Sequence, residues 1–395
     1  MERIGLFGGT FNPPHIGHIQ AAVNGMTALK LDRMLLIPSR ISPHKQLPDH
    51  STTARQRLEM LQIAAEGLDR ICVSDLETSR EGVSYTWQTV ELVRKAHPDA
   101  RLFLFMGSDM FLSFHQWREA KRIMEQAVLA VFYRGGKGEM KAVSAQKAAL
   151  EQIGASVELV KNDICPLSST DVRRMIAFGC GGAFLPAGVE AYIRRQGLYH
   201  CGTDFRNLSM DTLEKVVVGL LNPNRVAHVL GCRDTAAELA RRWGAEEIDA
   251  ARAGMLHDVT KALPGDLQLA LCREYGVSLD EFSRENPKTL HALTGSLVAQ
   301  RVFGENPAVV DAIRYHTTGR ANMGLLEKII YVADYMEPNR DFPGVERLRE
   351  LAVSDIDGAL MLGLEMTLEH LRRQGSVLSP ESAQALEYLK SHRKG

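Results

Sequence analysis

Ile4-Gly5-Leu6-Phe7-Gly8-Gly9-Thr10-Phe11-Asn12-Pro13-Pro14-His15-Ile16-Gly17-His18 reads as a strand, a tight loop and the start of a helix. The run Ile4–Phe7 is short and apolar, as a buried parallel strand is. Gly8-Gly9 lets the backbone turn sharply and come close to a ligand. Pro13-Pro14 stiffens the loop, and a helix is predicted from about His15. Its N-terminus offers unpaired N–H groups and the positive end of a dipole. His15 and His18 are three residues apart and so share one face of that first turn. Two imidazoles beside a helix N-terminus form a pocket suited to a triphosphate.

The same alternation continues outward from this stretch. Met34–Ile37, Leu102–Met106 and Val128–Phe132 are further apolar runs, and Arg55–Ala65 and Trp87–Ala96 carry helical periodicity between them. Alternating β and α segments predict an α/β doubly wound parallel sheet, a Rossmann-like arrangement with helices on both faces. The texture changes at His200-Cys201-Gly202-Thr203-Asp204, which is polar and turn-prone. Beyond Leu208 only helical patterns occur: Val226–Trp243, Asp249–His257, Leu290–Phe303 and Pro307–His316. The expected organisation is a nucleotide-handling α/β domain over 1–201 and an all-α domain over 206–395.

The bulk numbers exclude several classes. A chain of 395 residues, 45% hydrophobic, can bury two or three cores, and a net charge of −1 argues against nucleic acid as a partner. Small molecules are expected instead, with homo-oligomerisation left open. The six cysteines stand singly, without a C-x-x-C pair, as in a protein with reduced thiols. Met1-Glu2-Arg3 leads straight into a strand, and no apolar run approaches the ~20 residues of a membrane span, so a cytoplasmic protein is expected.

His15-Ile16-Gly17-His18 resembles the (H/T)-x-G-H signature of the nucleotidyltransferase superfamily. It matches the class I aminoacyl-tRNA synthetases equally well, but a K-M-S-K-S-like loop and a basic tRNA-binding body are lacking. Further segments narrow the resemblance: Pro38-Ser39-Arg40 with Pro43-His44-Lys45, Gly82-Val83-Ser84-Tyr85-Thr86, Met106-Gly107-Ser108-Asp109 with Trp117, and Pro166-Leu167-Ser168-Ser169-Thr170-Asp171-Val172-Arg173. From Arg3 to Tyr199 the chain looks like the bacterial nicotinate-nucleotide adenylyltransferases, with Asn12 and Val172 as small departures. The resemblance implies ATP with Mg2+ as cofactor. Gly8, Gly9, Thr10, Phe11, Gly17, Gly107, Asp109, Ser168, Ser169 and Thr170 would bind ATP, with His15, His18 and Arg173 on its phosphates. Lys45 would reach a mononucleotide phosphate. Ser84, Tyr85, Thr86 and Trp117 would select the pyridine ring and its carboxylate.

The all-α half carries His228, His257-Asp258, His291, His316 and Asp334, spaced one per helix or helix pair. Adjacent residues on a helix diverge by about 100°, so His257 can bind one metal while Asp258 bridges to a second. Imidazole and carboxylate donors suit first-row divalent metals without selecting sharply among them. The order Arg225-Val226-Ala227-His228, Leu256-His257-Asp258-Val259-Thr260-Lys261, Leu290-His291-Ala292…Gly295, His316-Thr317-Thr318-Gly319 and Ala333-Asp334-Tyr335-Met336-Glu337-Pro338-Asn339-Arg340 is similar to the HD phosphohydrolases, and among them to those that split diadenosine tetraphosphate symmetrically. That resemblance implies a di-iron centre on the six ligands. It also implies catalytic roles for Asp258 and Lys261, and polyphosphate contacts from Arg225, Thr317, Thr318, Gly319 and Arg340. Two alternatives stay open for this half: hydrolysis of another nucleotide, such as a guanosine alarmone or a nucleoside phosphate, or a non-catalytic sensor. For the first half the rivals are nicotinamide-mononucleotide and phosphopantetheine adenylyltransferases.

Overall fold

A computed structural model describes residues 1–41, 52–133, 135–162 and 167–392. The chain divides into two compact units, Met1–Gly202 and Thr203–Gly395.

The first unit is built on six strands: β1 (Arg3–Gly9), β2 (Arg33–Pro38), β3 (Ile71–Val73), β4 (Arg101–Gly107), β5 (Ala127–Tyr133) and β6 (Val157–Lys161). Its helices are α1 (Ile16–Ala28), α2 (Ala54–Ala65), α3 (Thr86–Ala96), α4 (Ser108–Leu112), α5 (Ala120–Gln126), α6 (Lys137–Gln152), α7 (Ser169–Ala177) and α8 (Val189–Gln196). The strand order is β3-β2-β1-β4-β5-β6, with every pair parallel. Strand side chains alternate between faces. Accordingly Leu102, Leu104 and Met106 of β4 join one core layer, while Phe103 and Phe105 join the other. β5 divides likewise, Leu129 and Val131 against Val128, Ala130 and Phe132. Both faces are therefore covered, and the doubly wound architecture expected from the apolar runs is present. Helix α1 lies close on the sheet: a Cβ on Gly25 would sit 2.5 Å from the Phe105 ring.

The order reverses between β1 and β4, where chain connections leave to opposite sides. In such sheets a crevice opens beyond the carboxyl ends of these strands. Gly8-Gly9 and Gly107 stand at those ends. The sequence pattern named four strands. The two it lacked, β3 and β6, are the edge strands; one has three residues, and the other alternates exposed Glu158 with buried Val157 and Val160.

Among its described residues the second unit holds helices and no strand: α9 (Met210–Leu220), α10 (Val226–Trp243), α11 (Glu247–Leu256), α12 (Gly265–Glu274), α13 (Glu281–Glu285), α14 (Leu290–Arg301), α15 (Pro307–Arg314), α16 (Leu325–Met336), α17 (Val345–Ala352), α18 (Ile356–Arg373) and α19 (Pro380–His392). Local chemistry sets several starts. Asn306 caps α15 by accepting from Val309 N, with Pro307 at the first helical position. Asp355 caps α18 and Ser209 caps α9 in the same manner. Gly254 lets α10 and α11 meet backbone to backbone, since a Cβ there would lie 2.8 Å from Arg233 Cα. That approach brings His257, three residues on, towards His228. No helix among the described residues is long and apolar enough to cross a membrane.

Candidate active sites

The crevice of the first unit is a cavity of about 800 Å³. His15 is the N-cap of α1, with extended backbone, and its ring is buried and lies 3.7 Å from that of His18, centroid to centroid. His15 N donates to His18 Nδ1 at 3.2 Å. A neutral His18 ring therefore keeps its proton on Nε2. Burial pushes the His15 imidazole down to about 4, so it is uncharged at neutral pH and acts as a hydrogen-bonding group. Its Nδ1 is buried without a hydrogen-bond partner. Gly17 permits this ring position, because a Cβ there would come within 3.1 Å of His15 Nδ1.

The loop between β1 and α1 is held by carbonyl acceptors. Helix α7 reaches it through Ser169 Oγ, which donates to Pro13 O at 3.0 Å, and Arg173 Nη1, which donates to Asn12 O at 2.7 Å. Arg173 Nη2 donates to Thr170 Oγ1 at 3.1 Å, and Ser168 caps α7 by accepting from Asp171 N at 3.1 Å. The N-termini of α1 and α7 thus converge on one cavity, whose lining includes Gly8, Gly9, Thr10, Phe11, Gly17 and Ser168 to Thr170. Asn12 is buried, and its Oδ1 accepts from Thr52 Oγ1 at 2.5 Å and from Tyr199 Oη at 2.6 Å.

At the other end of the cavity stand Ser84, Thr86, Gly107, Asp109 and Trp117. Thr86 is the first residue of α3. Ser84 Oγ accepts from Arg40 N at 3.0 Å. Gly107 leaves room for the Asp109 carboxylate, whose Oδ1 would be 2.7 Å from a Cβ there. Trp117 both lines the cavity and packs on Phe114 at 5.3 Å. Tyr85, expected beside them, is not among the lining residues. As the N-cap of α3 it turns its ring under the Arg118 guanidinium, 4.8 Å away. Lys45 lies outside the described residues.

Sequence reasoning missed Arg57 and Glu77. Arg57 is 1% exposed and donates from Nη1 to Thr10 O at 2.8 Å and from Nη2 to Arg40 O at 3.0 Å, joining the ends of β1 and β2. Its signal was present: Arg57 sits at helical spacing with buried Met60, Leu61 and Ala64, a charge on an apolar face. Glu77 is buried in the cavity wall and accepts from Thr89 Oγ1 at 2.7 Å.

In the second unit, α10, α14 and α16 supply His228, His291 and Asp334. His257 follows directly on α11, keeping right-handed helical angles, and His316 stands two residues past α15, rather than ending those helices as expected. The six side chains come together. Asp258 carboxylate oxygens lie 3.5 to 3.7 Å from Nε2 of His228, His257, His291 and His316. Asp334 Oδ1 is 3.1 Å from His228 Nε2 and 3.9 Å from His257 Nε2. His257 Nδ1 bonds to Gly254 O and His316 Nδ1 to Ile313 O, both at 2.7 Å, which aims each Nε2 lone pair inward. His316 Nε2 is buried and has no hydrogen-bond partner. Ligand atoms of His228, His257 and Asp334 lie within 4.8 Å of one another, as do those of His257, Asp258 and His316. This donor set, four imidazoles and two carboxylates with the rings braced from behind, fits divalent metal.

Cations surround the cluster. Arg225 pairs with Asp258, and Arg340 Nη2 donates to Asp334 Oδ1 at 2.7 Å. Lys261 Nζ is 2.9 Å from His291 Nε2, and burial pushes its ammonium down to about 8. Burial pushes His316 to about 4 and His257 well below the usual range. Burial alone would raise Asp334, but the hydrogen bond from His228 and the neighbouring cationic groups hold it well below ordinary carboxylates. Gly319 has φ +64° and its N–H returns to Tyr315 O, a glycine-terminated helix end. Thr318 Oγ1 donates to Glu381 of α19 at 2.9 Å, whereas Thr317 Oγ1 is buried without a partner.

Comparison with known proteins matches the cytidylyltransferase-like family over residues 6–175 and the HD domain family over residues 225–339. A "Probable nicotinate-nucleotide adenylyltransferase" of Desulfatibacillum aliphaticivorans is 36% identical over 218 residues, covering 50% of this chain and 99% of the relative. The "Bis(5'-nucleosyl)-tetraphosphatase, symmetrical" of Bacillus subtilis is 39% identical over 173 residues, covering 43% of this chain and 92% of the relative. A solved structure described as a predicted HD superfamily hydrolase involved in NAD metabolism, from Clostridium acetobutylicum, is 38% identical, covering 47% of this chain and 99% of that one with a TM-score of 0.46.

Proposed function

The chain belongs to the nicotinate-nucleotide adenylyltransferase family through its first unit and to the HD-domain symmetrical tetraphosphatase family through its second, and from that premise we propose a bifunctional enzyme. The first unit joins ATP to nicotinate mononucleotide. A phosphate oxygen of the mononucleotide attacks the α-phosphorus of ATP, the bond to the β-phosphate oxygen breaks, and deamido-NAD and pyrophosphate result. The second unit adds water across the central anhydride of diadenosine tetraphosphate and releases two ADP.

The first reading is carried by the convergence of two helix N-termini and two adjoining histidine rings on one cavity of about 800 Å³ at the switch point of the sheet. Transfer of this kind needs in-line placement and dispersed positive charge more than covalent help. His18 and neutral His15 donate hydrogen bonds to phosphate oxygens, and the N-termini of α1 and α7 add aligned N–H groups. Arg173, fastened through Nη1, brings the fixed charge. Trp117 gives the pyridine a ring face, and the N-terminus of α3 at Thr86 meets its carboxylate. Lys45 takes the mononucleotide phosphate.

The second reading is carried by the six side chains gathered on Asp258. His228, His257, Asp258 and Asp334 would hold one ion, and Asp258, His291 and His316 another; iron is the pair the resemblance implies. Bound there, the metal supplies Lewis acidity towards water and the phosphoryl oxygens. Arg225, Lys261 and Arg340 neutralise the polyphosphate, and the segment Thr317–Gly319 borders it. Cys72, Cys180, Cys201, Cys232 and Cys272 are thiols rather than disulfides, which accords with a cytoplasmic enzyme.

The test uses the full chain. ATP with nicotinate mononucleotide should give deamido-NAD at a kcat/KM well above that with nicotinamide mononucleotide. Diadenosine tetraphosphate should give ADP alone. A preference for the amide, or ATP plus AMP as products, or faster turnover of a guanosine alarmone, would overturn the corresponding half.

A further inference from the structure

Behind the metal ligand His228 stands a carboxylate of the segment Ala333–Arg340, to which neither the resemblance nor the family match gives a role. Glu337 is 1% exposed and follows the end of α16, and its Oε1 lies 3.0 Å from His228 Nδ1. The opposite oxygen is fastened: Oε2 accepts from Asn339 N at 2.7 Å and from Asn339 Nδ2 at 2.8 Å. Asn339 Nδ2 also donates to Ala227 O at 3.1 Å, tying this turn to the residue before His228. The facing helix makes space for it, since a Cβ on Gly231 would sit 2.4 Å from Glu337 Oε2 and 3.0 Å from Asn339 Nδ2. The rings of His257 and His316 are braced differently, by the neutral carbonyls of Gly254 and Ile313.

We propose that Glu337 is a positioning residue for His228, fixing its tautomer and orientation and making the His228–His257–Asp334 position the tighter of the two metal sites. When metal takes the place of the proton that His228 Nε2 shares with Asp334, a carboxylate accepting from Nδ1–H makes that nitrogen a stronger donor than a carbonyl-braced ring. The inference rests on the metal reading of the second unit.

The test is titration of the chelator-stripped full chain with Mn2+ alone, following free ion by electron paramagnetic resonance. Glu337→Gln is expected to weaken the tighter site about 10–100-fold. Gly231→Ala, which displaces the carboxylate without touching a ligand, should do the same, and Asn339→Ala should do so to a smaller degree. The second, weaker site of Glu337→Gln should bind Mn2+ as the parent's does, whereas a merely structural loss would weaken both. Mn2+ binding by Glu337→Gln within twofold of the parent would overturn the proposal, as would equal weakening of the two sites. A parent chain that binds no Mn2+ would overturn the metal reading itself, a result distinct from either.

Discussion

The loop that frames the cavity of the first unit is held by its backbone carbonyls, and the cluster of the second unit by side chains. Around the first, loop carbonyls at Thr10, Asn12 and Pro13 are pinned by Arg57 of α2 and by Arg173 and Ser169 of α7. Around the second, one carboxylate touches four imidazoles. Shared anchoring spreads the consequence of any one loss; a hub concentrates it.

Breaking the hub should give the largest effect. Asp258→Ala is expected to lower hydrolysis on the order of 10⁴-fold, while deamido-NAD formation by the same preparation stays within about twofold, both read from one chromatogram of products. A sensor role for the second unit predicts the reverse, altered adenylyl transfer kinetics. In the cavity, His18→Ala removes one of several phosphate donors, and kcat/KM for adenylyl transfer should fall about 10²–10³-fold, measured by coupled pyrophosphate release. A loss as deep as that of Asp258→Ala would erase the contrast.

Acid should sharpen the comparison further. In the unfolded chain the His15 ring takes a proton near 6.5, and in the fold only near 4. Between those values the unfolded state binds more protons, so this contribution is complete above pH 6.5 and is lost as pH falls towards 4, amounting to about 3 kcal/mol. Urea midpoints of the transition reported by Trp87 and Trp117 should trace that slope, and His15→Asn should flatten it. The smallest effect is expected at a single pin. Tyr199→Phe removes one hydrogen bond on Asn12, about 1 kcal/mol, and should lower the first unit's thermal midpoint slightly and raise KM for ATP a few-fold.

The two regions also differ in how far they were legible beforehand. The loop from Gly8 to His18 announced strand, turn and helix because glycine, proline and capping chemistry act over a few residues. The His/Asp series announced a cluster able to hold metal because each member is a residue type seldom buried without a task. What escaped was support that depends on tertiary approach. Glu337 stands in the segment Ala333–Arg340, but its contact with His228 shows only when α16 is laid against α10 and Gly231. Tyr85, adjacent to Ser84 and Thr86 in sequence, turns away because the N-cap angles of α3 point its ring to Arg118. The edge strands β3 and β6 escaped because short, half-exposed strands lack the continuous apolar run that marked the others.

The hydrogen bond from Tyr199 to Asn12 spans 187 residues. Chains emerge from the ribosome N-terminus first, and domains tend to fold as units in that order. The loop from Gly8 to His18 is made well before the hydroxyl that fastens it, which belongs to one of the last residues of its unit. During synthesis the loop therefore waits, its Asn12 carboxamide short of one donor, until nearly the whole first unit is out. The site is then finished before the second unit has begun to take shape, which makes the stretch after Tyr199 a natural seam for joining a second enzyme.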